Sequence, residues 1–210
     1  MPMKAQREYR ALSAAMEVRA DAKEDEMIVE GYATTFNQPY DLFTYQGTRY
    51  MEQVDPNAFE ECDMADVIMQ YDHAGRVYAR TRNGTLKLEV DDRGLKITAD
   101  LSRTDTARQL YQEIREGMTD RMSFGFIVGL DERTTTRDED TGKATVLRTI
   151  KRFKKLYDVS AVSIPANDQT SISARTLSDG WIAEAEAERL RAQRKARLAL
   201  KIKMMEGEFA

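Results

Sequence analysis

The chain has 210 residues, with 32 basic and 36 acidic side chains and a formal charge of −4. That length is one domain, or one domain with appendages, and it suffices for a real core, while the acidic balance disfavours nucleic acid as a partner. The single cysteine, Cys62, leaves no intrachain disulfide and suits a reducing compartment, and no long apolar run or signal-peptide core is present, so a soluble chain with no membrane partner is expected.

Residues 1–26 are polar and charged and read as an N-terminal arm, with a first strand near Ala11–Arg19. Met27–Phe36 is β-branched and aromatic and predicts a strand with a bulge at Gly31. Asp55 followed by Pro56 has the form of an N-cap and N1 pair, which predicts a short helix through about Glu61. Val67–Asp72 reads as a strand with His73 at its end. Leu86, Leu88 and Val90 alternate with polar residues, Asp91–Gly94 turns the chain, and Leu95, Ile97, Ala99 and Leu101 alternate back as a hairpin. A helix follows, capped by Thr104, with Ala107, Leu110, Tyr111 and Ile114 as its apolar stripe and Gly117 just past its end.

That helix leads into Asp120–Val128. Here Met122, Phe124 and Phe126 alternate with Ser123 and Gly125. On a strand the three large side chains share one face, and a hydroxyl and a bare glycine share the other. A nucleophile that a substrate must approach closely would be set out in this way, with the Ser123 face open. Asp131–Lys143 is a charged, threonine-rich hairpin tip, and Ala144–Ile164 makes two strand-like runs closed by Pro165-Ala166-Asn167. Gly180–Glu206 is rich in Ala, Glu, Arg, Lys and Leu, with acids early and bases late, and predicts a long helix. The expected class is α+β: a mainly β-barrel core with short helical insertions over 27–177, and a helical appendage over 178–210.

A serine nucleophile at neutral pH needs a base, and the sequence offers one histidine, His73. The third member must be an acid. Asp158 is the first candidate, because it interrupts the apolar run Leu156–Ile164, where an unpaired carboxylate would be costly. Asp72 and Asp168 are the alternatives. One histidine and one cysteine make a zinc site improbable, and no G-x-G-x-x-G or P-loop pattern suggests a nucleotide, so no metal or other cofactor is expected.

Tyr71-Asp72-His73-Ala74, Met122-Ser123-Phe124-Gly125-Phe126 and Leu156-Tyr157-Asp158-Val159-Ser160 with Pro165-Ala166-Asn167 together resemble the prohead (capsid maturation) serine proteases of tailed bacteriophages. That family is similar in fold to the herpesvirus assemblins. The resemblance runs from about Met27 to Ala174. The family usually has Asn before its histidine, Asp after it, and Glu where Asp158 stands. The resemblance implies an endopeptidase inside an assembling procapsid in the host cytoplasm, with Ser123, His73 and Asp158 as its catalytic residues. Its partners would be scaffold and the major capsid protein as substrates, further copies of itself by self-association, and its own chain by self-cleavage.

Substrates are expected as extended strands beside the Ser123 strand, with backbone N–H groups or Arg121 facing the oxyanion. The C-terminal helix would dock the protease into the shell. Two rival readings are a non-catalytic capsid-associated β-barrel docked through that helix, and a nucleic-acid-binding module using its basic end.

Overall fold

The structure is a computed structural model. It describes residues 7–19 and 26–163, together with 180, 182, 183, 186, 187, 190, 191, 193–195, 197 and 198. The chain divides into two compact units, Met1–Ser171 and Ile172–Ala210. The first carries β1 (Glu8–Ala15), β2 (Glu17–Val18), β3 (Ile28–Thr35), β4 (Tyr40–Tyr45), β5 (Thr48–Val54), β6 (Ile68–Tyr71) and β7 (Ala74–Arg80). It continues with β8 (Leu86–Val90), β9 (Gly94–Asp100), helix α1 (Asp105–Arg115), β10 (Arg121–Arg137) and β11 (Ala144–Val162).

The expected closed barrel does not form. The strands make a seven-stranded sheet, β1-β10-β11-β5-β4 with β6 and β7 attached through β11, and a four-stranded sheet, β2-β3-β9-β8. The cause lies in β11. It pairs with β10 along one edge, while its other edge is shared between β5 (at Thr145–Ile150) and β6 (at Asp158–Ala161). A strand divided between two neighbours branches the sheet, and among the described residues this sheet ends at β1, β4 and β7 without returning on itself.

The long C-terminal helix is also corrected. The described helical residues of the second unit lie between 180 and 198, a short helix where Gly180–Glu206 was expected. Among its described residues, Leu190 and Leu198 are exposed. The helix expected after Asp55 is instead a run of turns. Asp55 does cap it, accepting from the Asn57 N–H at 3.0 Å, but the backbone bonds that follow, Ala58 to Asp55, Glu60 to Asn57 and Cys62 to Phe59, all span three residues. None of the described helices is long and apolar enough to cross a membrane.

One apolar core joins the elements. Met122, Phe124 and Phe126 of β10 are fully buried, and Phe126 meets Phe153 edge-on at 4.8 Å. Val29 and Ala33 of β3 and Ile97 and Ala99 of β9 belong to the same core, as do Ala107, Leu110 and Ile114 of α1. The Thr104 hydroxyl accepts from the Ala107 N–H at 3.2 Å and caps α1, and Gly117 beyond its end takes a left-handed φ of 71°.

β1 lies on the free side of β10, with Glu8 opposite Phe126 and Ala11 opposite Ser123. It is held there by buried charge. Arg10 donates to Glu52 at 2.6 and 3.0 Å and to Glu8 at 2.6 Å. Arg148 donates to Glu52 and Glu8 at 2.8 Å and to Asp131 at 2.7 Å, and the Tyr40 hydroxyl donates to Glu52 at 2.6 Å. Burial alone would raise the Glu52 carboxyl, yet the two guanidiniums outweigh it and hold its pKa low.

Candidate active site

Register places the polar face. Across the β10–β11 ladder Ser123 is opposite Ser160 and Gly125 is opposite Asp158. Across β1–β10, Ala11 is opposite Ser123 and Tyr9 is opposite Gly125. Directly paired residues project from the same side of a sheet, so Tyr9, Ala11, Ser123, Gly125, Asp158 and Ser160 share one face, opposite the buried phenylalanines. The register shifts just after Gly125, where Phe126 pairs with Leu156 and Tyr157 is the extra residue on β11.

His73 arrives from the other side of β11. β6 runs parallel to the end of β11, and Asp72 and His73 form the two-residue turn into β7, closed by the Tyr71–Ala74 pair. Both turn residues have positive φ, 47° and 57°, as tight hairpins require. Neither is glycine, so each stores strain of order 1–3 kcal/mol, and the turn is pinned where it meets β11. The Asp72 N–H donates to the Ala161 carbonyl at 2.9 Å, and its carboxylate accepts from the Ser163 N–H and hydroxyl, each at 3.1 Å.

The turn sets the imidazole between the serine and the acid. His73 Nε2 lies 2.5 Å from Ser123 Oγ and His73 Nδ1 lies 2.5 Å from Asp158 Oδ1. An ionised carboxylate can only accept, so Nδ1 carries the proton and donates to Asp158, which leaves Nε2 to accept from the serine hydroxyl. Asp158 is fully buried. Burial pushes its carboxyl up, but the hydrogen bond and charge of His73, the Ser160 hydroxyl donating at 2.7 Å, and the Arg7 guanidinium on Oδ2 outweigh it and hold its pKa low. The Tyr9 ring packs against the imidazole at 4.3 Å.

The structure thus brings Ser123, His73 and Asp158 into one hydrogen-bonded series. Asp72 turns away from the imidazole to hold Ser163, and Asp168 lies outside the described residues. Arg121 stands two residues before Ser123 at the start of β10, its guanidinium 3.3 Å from Asp120.

Two expectations about this face are overturned. Ser123 is only 1 % exposed, so its face is not open. A substrate strand cannot add to β10 at Ser123, because Ala11 occupies one edge and Ser160 the other. Gly125 also has another use. A Cβ there would collide with Asp158 Oδ2 and lie 2.8 Å from Tyr9 Cε1 and 3.0 Å from Arg7 Nε. The missing side chain makes room for the acid and its neighbours.

Arg7, Tyr9 and Ser160 were missed in the sequence. Ser160 could have been found, since two residues beyond Asp158 on a strand is the same face. Arg7 and Tyr9 sit in a polar arm with no signal of their own. Among the described residues, no group of three or more His, Cys, Asp or Glu side chains is placed to hold a metal ion.

A hydroxyl, an imidazole and a buried carboxylate linked in this order form the arrangement that serine hydrolases use. The family model of the caudovirus prohead serine proteases matches residues 14–180, most of the chain, and the protein belongs to that family of capsid-maturation proteases. No curated protein and no solved structure matches the chain.

Proposed function

We propose that Ser123 is the nucleophile, His73 the general base and Asp158 the orienting acid of a peptide-bond hydrolysis. The observation that carries this reading is the unbroken series from Ser123 Oγ through both ring nitrogens of His73 to the buried Asp158. Ser123 Oγ attacks the scissile carbonyl as its proton passes to Nε2. The imidazolium then hands that proton to the leaving amine, and a water repeats the sequence to release the acyl group. Asp158 fixes the Nδ1–H tautomer and stabilises the cation that forms 2.5 Å away, staying ionised because its pKa is held low. Since Ser123 is almost wholly buried, peptide entry requires displacement of the atoms that cover it.

The substrates are scaffold or the scaffold-like segment of the major capsid protein, and the protease chain itself, cut inside the assembling procapsid in the host. Family membership supports this placement. The test is co-expression of the full chain with coat protein and scaffold, reading cleavage by mass spectrometry, together with labelling by a serine-reactive phosphonate. Cleavage by the wild type, none by Ser123→Ala, and a label on Ser123 are expected. A labelled residue other than Ser123, or cleavage by the alanine variant, would overturn the assignment.

A further inference from the structure

We propose that Arg7, the residue immediately before the N-terminal strand β1, is a positioning residue that fixes the carboxylate of Asp158, so that the entry to β1 is part of the active centre. This inference rests on the roles given above to Ser123, His73 and Asp158. Arg7 and Tyr9 precede residue 14, where the family match begins, so their place at the site is not carried over from the family.

The two carboxylate oxygens of Asp158 are used differently. Oδ1 accepts from both His73 Nδ1 and the Ser160 hydroxyl, whereas Oδ2 is held by Arg7. Without a partner on Oδ2 the carboxylate could swing about its Cβ–Cγ bond, and the imidazole would lose its orientation. Arg7 is itself held, with its Cζ 4.6 Å from the Tyr157 ring centroid and 5.0 Å from that of Tyr9. Tyr9 in turn walls the His73 ring, and the absent side chain of Gly125 leaves the space that Arg7, Tyr9 and Asp158 fill together.

The strand is built for this placement. Alternation sends Tyr9 to the site face, where Arg7 just ahead of the strand reaches Asp158, and sends Glu8 and Arg10 to the opposite face, where the buried pairs with Glu52 and Arg148 anchor β1. Sign decides how Arg7 acts. A cation on the acid opposes formation of the imidazolium, so any benefit comes from fixing geometry and not from charge.

The test uses the full chain and a fluorogenic peptide spanning a cleavage site mapped in the co-expressed coat protein. Arg7→Ala is expected to lower kcat on the order of 10²-fold, as small misplacements of catalytic groups do. KM should change little, because the role assigned to Arg7 is on Asp158 and not on the substrate. Added guanidinium should restore part of the loss. Arg7→Lys, which keeps the stem but not the fork, should fall between the two.

An Arg7→Ala variant with wild-type kcat overturns the proposal, as does a loss that neither guanidinium nor lysine relieves, which marks a packing role only. Should the alanine variant fail to fold, Arg7→Lys carries the test, and wild-type kcat in it is the overturning result. Hydrolysis by Ser123→Ala in the same assay would end the nucleophile reading itself. An inactive Ser123→Ala beside a fully active Arg7→Ala ends only this inference.

Discussion

Gly125 faces Asp158 across the β10–β11 ladder, and the space a side chain would take at Gly125 is filled by the Asp158 carboxylate, the Tyr9 ring and the Arg7 guanidinium. The acid can be buried without being stranded because its neighbour has no Cβ. Gly125→Ala should therefore push the carboxylate off the imidazole. A kcat loss on the order of 10²-fold is expected, with an overpacking cost of about 1–3 kcal/mol. Single-turnover kinetics and thermal melting of the same preparation check both parts. A stable variant with normal kcat would show that the site tolerates a displaced acid.

The two aspartates near His73 should respond differently to the same change. Asp158→Asn can present the wrong tautomer to the imidazole and cannot stabilise its cation, a loss of about 10⁴-fold in kcat in the serine-protease template. Asp72→Asn should be mild. Asparagine also tolerates a positive φ, and its carbonyl can still accept from the Ser163 N–H. Peptide hydrolysis by the two variants, measured side by side, ranks them, and the reverse ranking would move the third role to Asp72.

Removing the nucleophile should leave the fold alone. Ser123 is buried, but its hydroxyl is bonded to a partly exposed imidazole that water can reach. Ser123→Ala should stay within about 1 kcal/mol of wild type in stability, while kcat falls by about 10⁶-fold. Denaturant titration and cleavage of co-expressed coat protein report the two quantities separately.

The residues of the candidate site were more legible in the sequence than the architecture was. Alternation around Ser123 and an acid inside an apolar strand are local signals, and they brought out Ser123 and Asp158, while His73 was the one histidine available. The branching of the sheet is not local. It depends on β11 pairing with β5 over one half and β6 over the other, and nothing in the composition of Ala144–Ile164 announces two partners. The burial of Ser123 was hidden for the same reason, because the strand at its side comes from the polar N-terminal arm. That arm read as polar and charged, yet two of its charges, Glu8 and Arg10, pair in the interior.

Acid stability should report the buried network that holds β1. Burial raises the Glu52 carboxyl, but Arg10 and Arg148 lower it by more, so its folded pKa lies at about 2 against an ordinary 4.5. A group depressed in the folded state binds more protons when unfolded, so it stabilises the fold above its unfolded pKa. That contribution is lost as pH falls through the folded value, here between pH 4.5 and about 2. Other carboxylates, Asp158 among them, are shifted in the same direction and add to the acid slope of the wild type, so only the difference from a Glu52 variant isolates this residue. Glu52→Gln keeps the shape but leaves Arg10 and Arg148 with less compensation. At neutral pH it should lose up to about 3–5 kcal/mol, the range for breaking a buried ion pair. Glu8 still pairs with both arginines, which places the expectation at the low end. The stability gap between wild type and variant, followed by denaturant titration from pH 7 to pH 2, should narrow below pH 4.5. A gap that stays constant down to pH 2 would mean that Glu52 does not carry its charge in the fold, and β1 would then be held by packing and ladder hydrogen bonds alone.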